Sequence, residues 1–177
     1  MIDGCKAGQR KAQHELYTAL KSQMYGMCMR YAHSKEDAED ILHDGFVAVF
    51  KDIHQYKNAG PIEGWVRRVI LNIALQHLRK QSKNIFQSLD DHQWKAEDEV
   101  MEEEYFEKEL LIKQMIESIQ RMPTGFRTVL NLYIMEGYSH DQIAQTLGIS
   151  IGTSKSQLKR AKDHLRNVLI KSLNVNE

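Results

Sequence analysis

The spacing of apolar residues constrains the fold of this 177-residue chain most strongly, because it follows a helical period almost throughout. Only two prolines occur, and residues with high helix propensity are frequent. The pattern predicts an all-α protein. We expect helices over roughly Lys6 to His33, from Ser34 to about residue 53, from Ile62 or Trp65 to Lys83, and from near Tyr105 onwards.

Two interruptions divide these helices. Residues 56–64 (YKNAGPIEG) have the composition of a loop. The pair Met122-Pro123 breaks the later periodicity, and a proline is suited to the start of the following helix. In that helix we expect an inward-facing set and a glycine end at Gly137. The inward-facing set consists of Val129, Leu130, Tyr133 and Ile134.

The segment 138–166 (YSHDQIAQTLGISIGTSKSQLKRAKDHLR) contains two helical patterns separated by a glycine turn. Ser139 and Gln142 predict a capping box. Gly148 is predicted to end this helix, because glycine readily adopts the left-handed conformation found just after a helix. Thr153 is the predicted N-cap of the second helix. That helix has an apolar stripe, Leu158, Ala161, Leu165 and Val168, and an opposite polar face, Ser156, Lys159, Arg160, Asp163 and Asn167, with Lys155 and Gln157 on the flanks. The pattern is typical of a DNA-reading helix-turn-helix, and an ordinary amphipathic surface helix is the alternative.

A second basic surface is predicted on the helix after Trp65. Between Gly64 and Leu89 there are five basic residues and no acidic one. One stripe of this helix collects Arg68, Asn72, Gln76, Arg79 and Lys83, opposite a buried face of Val66, Val69, Ile70, Ile73 and Ala74. Such a stripe can follow a phosphate backbone, and Trp65 can either stack on an unstacked base or lie in the core.

Charge is distributed unevenly, although the formal net charge is zero. Residues 1–85 and 121–177 each have a net charge of +4, and residues 86–120 have −8. We therefore predict two small helical domains, residues 1–85 and 105–177, joined by an acidic linker over 86–104. The two cysteines form no CxxC pair, which suits a reducing cytosol. No apolar run has the length of a membrane span and no signal peptide is visible, so we expect a cytoplasmic protein without membrane insertion.

Three segments resemble those of a bacterial sigma factor of the sigma-70 family, in the extracytoplasmic-function (ECF) group. DAEDILHDGFVAVFKDI (37–53) is similar to the polymerase-binding helix, and GWVRRVILNIALQHLRK (64–80) is similar to the helix that handles the promoter −10 element. MPTGFRTVLNLYIMEGYSHDQIAQTLGISIGTSKSQLKRAKDHLR (122–166) resembles the −35-reading domain. The resemblance covers nearly the whole chain, in order and spacing. It implies sigma region 2 in the first domain and sigma region 4 in the second.

The resemblance also implies site residues. For the −10 element, the loop at 56–63 would hold a flipped base of the non-template strand, and Asn72 occupies the base-contacting asparagine position. The implied −10 set is Lys57, Asn58, Trp65, Arg68, Asn72, Gln76 and Arg79. The implied −35 set is Thr153, Lys155, Ser156, Gln157, Lys159 and Arg160. The family usually has valine where Ser154 stands and arginine where Gln157 stands, so a turned-in Ser154 hydroxyl needs a partner and Gln157 lacks the charge for a strong phosphate contact.

The partners implied by the resemblance are core RNA polymerase, through its clamp helices and flap, promoter DNA and an anti-sigma factor. An acidic helix face, Asp37, Asp40 and Asp44, is the expected clamp-docking surface, and dipole compensation with solubility is the alternative role. We expect no cofactor, no metal and no enzymatic activity.

Two other functions are compatible with parts of the sequence. A stand-alone helix-turn-helix regulator would bind duplex DNA by itself, normally as a dimer. His43-Asp44, with His33 and His54 nearby, faintly resembles an all-α metal phosphohydrolase. Adjacent helical residues point about 100° apart, however, so His43 and Asp44 do not converge on one metal.

Overall fold

The computed structural model describes residues 1–81 and 107–174, and the described part is helical with no β-strand. The helices are α1 (Ile2–Lys6), α2 (Arg10–Tyr31), α3 (Lys35–Asp52), α4 (Ile62–Gln81), α5 (Glu107–Arg121), α6 (Thr124–Leu130), α7 (His140–Leu147) and α8 (Ile151–Asn174). A 3₁₀ turn, Ile53–Gln55, follows α3, and a π-helical turn, Asn131–Met135, follows α6. The all-α prediction is confirmed.

The chain divides into two compact units, an N-terminal unit of Met1–Lys83 and a C-terminal unit of Asn84–Glu177. The predicted acidic linker lies outside the described residues, as does Lys83 of the α4 stripe. The domain boundaries at residues 85 and 104 therefore stay predictions.

In the N-terminal unit, α2, α3 and α4 pack against one another around an apolar core. Ser34 caps α3 by accepting the Asp37 backbone N–H at 3.1 Å. Gly45 allows close approach of α3 and α4, because a Cβ there would lie 2.8 Å from Cγ1 of Ile70. The helix expected over roughly Lys6 to His33 corresponds to α2, which begins at Arg10 because Gly8, with φ of 71°, turns the chain between α1 and α2.

In the C-terminal unit, α5, α6 and α7 all pack on the long α8. Pro123 precedes α6 as its N-cap, which matches the predicted helix start. The expectation that Tyr133 and Ile134 face inward is wrong, because these side chains are 37% and 52% exposed. The π-helical turn explains the error, since its wider turn shifts the inward-facing phase after Leu132.

Candidate nucleic-acid interface

One face of α4 displays the polar row predicted from the sequence. The side chains of Arg68, Asn72, Gln76 and Arg79 are all exposed. The helix buries Val66, Ile70 and Ala74, as predicted, whereas Val69 and Ile73 are only half-buried. It also buries Leu71, Leu75 and Leu78, which the predicted core face omitted. Two guanidinium and two amide groups therefore share a surface that can meet phosphates and base edges.

The loop before α4 presents Lys57 and Asn58, both exposed, at one end of this row. Asn58 has φ of 56°, a left-handed conformation that asparagine tolerates better than most residues. Trp65 is half-buried, and its ring lies 5.8 Å from that of Tyr56. The indole therefore combines a packing contact with partial exposure, so both roles considered for Trp65 remain compatible with its position.

In the C-terminal unit, α7 and α8 form the predicted helix-turn-helix. The Ser139–Gln142 capping box is present in both directions, and Gly148 has φ of 68° at the C-cap of α7. The predicted N-cap of α8 is wrong by three residues. Ser150 takes this role, because its Oγ accepts the Thr153 backbone N–H at 2.9 Å, and Thr153 lies inside the first turn.

The exposed face of α8 carries Lys155, Ser156, Lys159 and Arg160, and Thr153 is half-buried. The Arg160 guanidinium lies 5.9 Å from the Phe126 ring centre, a cation–π distance. Sequence reasoning missed Lys162 and Arg166, which line a shallow cavity of about 360 Å³ with Lys155 and Lys159. These four cations are spaced at i, i+4, i+7 and i+11, and this spacing could have predicted from the sequence that they share one side of the helix.

Gln157 is a correction to the candidate set. Its side chain is only 1% exposed, so the placement on a flank of the helix that DNA could reach is wrong. The side chain packs against α6, where a Cβ on Gly125 would come within 3.0 Å of its amide nitrogen. Gln157 therefore belongs to the contact between α6 and α8.

Ser154 turns inward, as predicted, and has the partner that its hydroxyl needs. The side chain is fully buried, and its Oγ lies 2.9 Å from Nδ1 of His140 at the start of α7. His140 in turn stacks on Tyr133, with ring centres 4.8 Å apart. This contact joins the two helices of the motif by a directional bond.

The acidic residues of α3 have different surroundings. Asp37 accepts the His33 backbone N–H at 2.9 Å, which gives it a capping role. Asp40 is exposed, and Asp44 Oδ2 lies 2.9 Å from Nε2 of His77 on α4. Glu36 lies in the first turn of α3. Hydrogen bonds from the Glu36 backbone N–H and from the Ser34 hydroxyl hold the pKa of the Glu36 carboxyl below its usual range. Asp37 therefore has a local hydrogen-bonding role beside the start of α3, Asp40 and Asp44 lie on the surface, and clamp docking by the three carboxylates stays a prediction.

Across residues 1–81 and 107–174, no group of three or more His, Cys, Asp or Glu side chains is arranged to hold a metal ion. Within the same residues, no helix is long and apolar enough to cross a membrane.

A helix-turn-helix with a basic exposed face and a second helix with an exposed polar row define a class of DNA-binding protein with two contact surfaces. Comparison with known proteins specifies the family. Residues 16–84 match the family model of sigma-70 region 2, and residues 112–165 match that of sigma-70 region 4. The chain belongs to the sigma-70 family of sigma factors, in the ECF group.

Curated relatives agree along most of the chain. An ECF RNA polymerase sigma factor, SigE, of Mycolicibacterium smegmatis is 27% identical over 89% of this chain, which spans 61% of that protein. The RNA polymerase sigma-H factor of Pseudomonas aeruginosa is 22% identical, with 96% of this chain and 92% of that protein covered. The ECF sigma factor SigW of Bacillus subtilis is 23% identical, with 95% and 94% covered.

Two solved structures share the fold. CnrH, in complex with the cytosolic domain of CnrY, has a TM-score of 0.52 at 18% identity, covering 96% of this chain and 95% of CnrH. The sigma factor RpoE, in complex with the anti-sigma factor NepR from Bartonella quintana, has a TM-score of 0.54 at 18% identity, covering 90% and 97%.

Proposed function

We propose that this protein is an alternative sigma factor that binds core RNA polymerase, directs it to specific promoters and assists promoter melting. The observation that carries the proposal is the presence, in one chain, of an exposed polar row on α4 and an exposed basic face on the helix-turn-helix. Each surface suits a different form of DNA. Together they provide two contact points on one promoter.

The α4 row and the loop before it suit single-stranded DNA at the −10 element. Arg68 and Arg79 can contact phosphates, and Asn72 and Gln76 can hydrogen-bond the edges of unstacked bases. Trp65 is only half-buried, so its ring is a candidate for stacking on an unpaired base. Because these contacts require unpaired bases, binding favours the melted strand over duplex, and no catalysis is needed for opening.

The exposed face of α8 suits duplex DNA at the −35 element. Lys155, Lys159 and Arg160 supply donors for guanine acceptors and phosphates, and Lys162 and Arg166 extend the same basic side. Gln157 is excluded from this set by its burial. The capping hydroxyl of Ser150 and the contact between Ser154 and His140 hold the helix in place.

Core polymerase is the partner that this function requires. Asp40 and Asp44 on α3 are our candidates for docking on the clamp helices, and the C-terminal unit is the candidate for the flap. We also propose a cytoplasmic location, regulation by an anti-sigma factor and the absence of enzymatic activity. The solved RpoE–NepR complex supports the regulatory part, since NepR is an anti-sigma factor bound to a protein of similar fold.

The test is transcription with purified core polymerase on a library of genomic fragments from the source organism. We expect co-purification of the chain with core enzyme and discrete transcripts that require both. Absence of core binding together with absence of promoter-dependent transcripts would reject the function. A symmetric footprint by the isolated protein, unchanged by polymerase, would favour the stand-alone regulator instead.

A further inference from the structure

We infer that Lys6, the last residue of α1, is a positioning residue for the loop of residues 56–61 and thereby sets base discrimination in the −10 element. The inference rests on the proposed function, because it assigns a purpose to the loop beside the α4 row. Lys6 precedes the segment, residues 16–84, that matches the region 2 family model.

The first step is that α1 is held firmly. Cys5 is 2% exposed, so this short helix buries its own anchor. Gly4 faces Ala12 of α2 so closely that a Cβ there would come within 2.8 Å of the alanine methyl. The left-handed Gly8 makes the turn that folds α1 back against α2. The position of Lys6 is therefore determined by packing rather than by a free chain end.

The second step is the contact that Lys6 makes across 50 residues of sequence. Its Nζ donates a partly buried hydrogen bond of 2.9 Å to the Tyr56 backbone carbonyl. The same ammonium lies 6.0 Å from the centre of the Tyr56 ring. A hydrogen bond from a charged donor is stronger than one between neutral groups, and partial burial shields it from water.

The third step concerns the other end of the loop. The Tyr56 hydroxyl donates to the Gly60 carbonyl oxygen, and the Tyr56 ring is itself buried against Trp65. Tyr56 is thus fixed through its carbonyl by Lys6 and fixes Gly60 through its hydroxyl. Between these points the chain presents Lys57, Asn58 and Ala59, all exposed.

The consequence follows from the cost of ordering a loop on binding. A loop held at both ends has little conformational entropy left to lose when it encloses a base. Its geometry is therefore the same for every base, and a base that does not fit that geometry binds more weakly. Without the ammonium, the Tyr56 carbonyl loses its anchor and the loop can adapt to each base. We therefore expect weaker selectivity at one promoter position, with less effect on overall binding.

The experiment compares Lys6→Met, Lys6→Arg and Tyr56→Phe with wild-type full-length protein in holoenzyme. Lys6→Met keeps the side-chain length but lacks a donor, and Lys6→Arg restores one. Lys11→Met, at an exposed position of α2, removes the same charge nearby and is the matched control. Transcription is measured on a promoter found in the library experiment, with each of the four bases at every position of its −10 and −35 elements.

In Lys6→Met and Tyr56→Phe, we expect the ratio between the best and worst base to fall about fivefold at one −10 position, while the ratios at −35 positions stay unchanged. Lys6→Arg should recover at least half of the lost ratio, and Lys11→Met should match wild type. A merely destabilised protein would lose activity with every base alike. Unchanged ratios in both Lys6→Met and Tyr56→Phe, or equal losses at −10 and −35, would overturn the inference.

Hydrogen exchange in the free protein tests the anchoring independently. The Tyr56 amide donates to the Ile53 carbonyl oxygen, and the Gly64 amide donates to that of Pro61. A peptide covering 53–64 should exchange about tenfold faster in Lys6→Met than in Lys11→Met. Equal exchange would overturn the anchoring. A third outcome separates the two claims. If exchange is faster in Lys6→Met but the wild-type protein supports no promoter-dependent transcription, the anchoring by Lys6 stands, and both the base-discrimination role and the proposed function are overturned.

Discussion

The two units of the molecule differ in what they bury. Among described residues, the polar and charged side chains that are buried all belong to the C-terminal unit: Ser118, Arg127, Thr128, Asn131, Ser154 and Gln157. The buried set of the N-terminal unit is apolar apart from the tyrosine hydroxyls of Tyr31 and Tyr56. The N-terminal unit is therefore held mainly by non-directional packing, and the C-terminal unit also by bonds that require particular geometry.

The difference bears on how each unit holds the helix that we propose to contact DNA. In the C-terminal unit, Nη1 of Arg127 donates to the Gln120 carbonyl at 2.8 Å, near the end of α5. Ser118 Oγ lies 2.6 Å from Nε2 of His164, and this pair joins α5 to α8. With the Ser154–His140 contact, these bonds tie α8 to its neighbours. The buried side chains of α4 are apolar, and its polar bond to α3, between His77 and Asp44, lies at the surface.

The largest expected effect is on thiol reactivity, which tests whether the N-terminal interior is dry. Burial raises the pKa of the Cys28 thiol from an ordinary 9.0 to about 12. At about pH 8 the thiolate fraction is then about 1,000-fold lower than in unfolded chain, so labelling of Cys28 should be slower by at least that factor than in urea. Mass spectrometry of the labelled peptides gives the rate, and fast native labelling of Cys28 would contradict a dry core.

The same shift has a consequence for stability. The pKa of Cys28 is higher in the folded state than in the unfolded state, so the unfolded chain ionises first as pH rises. The contribution of the neutral Cys28 thiol to the free energy of unfolding is therefore complete below about pH 9 and is lost as pH rises toward 12. Because both cysteines of the chain lie in the N-terminal unit, thiol labelling reports opening of that unit.

Leu16→Ala should have the next largest effect. Leu16 is fully buried in α2, and removing its three carbons leaves a cavity in a core that is almost entirely apolar. We expect the free energy of unfolding of the N-terminal unit to fall by about 3 kcal/mol. Pulsed thiol labelling across a urea titration measures it. Val47→Ala on the exposed side of α3 is the control, with a change of about 0.5 kcal/mol or less.

A smaller effect is expected where the C-terminal unit uses a directional bond. Ser154→Ala removes the Oγ that contacts His140, and a double-mutant cycle with His140→Ala should give a coupling energy of about 1 kcal/mol. Hydrogen exchange of the α7 amides measures the local stability. Ser156→Ala, on the exposed side of α8, should show no coupling to His140→Ala. A Ser154–His140 coupling near zero would mean that packing alone holds the motif.

The predictability of each unit from sequence follows the same contrast. Apolar periodicity correctly places Val66, Ile70 and Ala74 in the α4 core. It also correctly places the exposed row at Arg68, Asn72, Gln76 and Arg79. The capping box at Ser139 and the left-handed C-cap at Gly148 were also predicted correctly from the sequence. Both signals depend only on neighbours within a few residues.

The errors arise where non-local contacts or backbone irregularity decide the outcome. Gln157 is buried because Gly125, 32 residues away, leaves room for its amide, and no spacing rule detects that. Tyr133 and Ile134 face outward because a π-helical turn interrupts the regular period. The anchoring of Tyr56 by Lys6 is likewise a contact across 50 residues.

The smallest expected effect tests the correction at Gln157. Its Oε1 is buried without a hydrogen-bond partner, so Gln157→Leu exchanges an unsatisfied polar group for an apolar one of similar size. We expect stability to change by about 1 kcal/mol or less, and affinity for a short random-sequence duplex at low salt to stay within about twofold of wild type. Fluorescence anisotropy of the labelled duplex measures the affinity.

Lys159→Leu makes the matched comparison on the exposed face of the same helix. Loss of one phosphate-contacting cation should weaken duplex binding about threefold to tenfold and reduce its salt dependence. If Gln157→Leu weakens binding as much as Lys159→Leu does, Gln157 must leave the interior when DNA binds. The packing of Gln157 against α6 would then be broken in the complex, and the contact between α6 and α8 described above would hold only for the free protein.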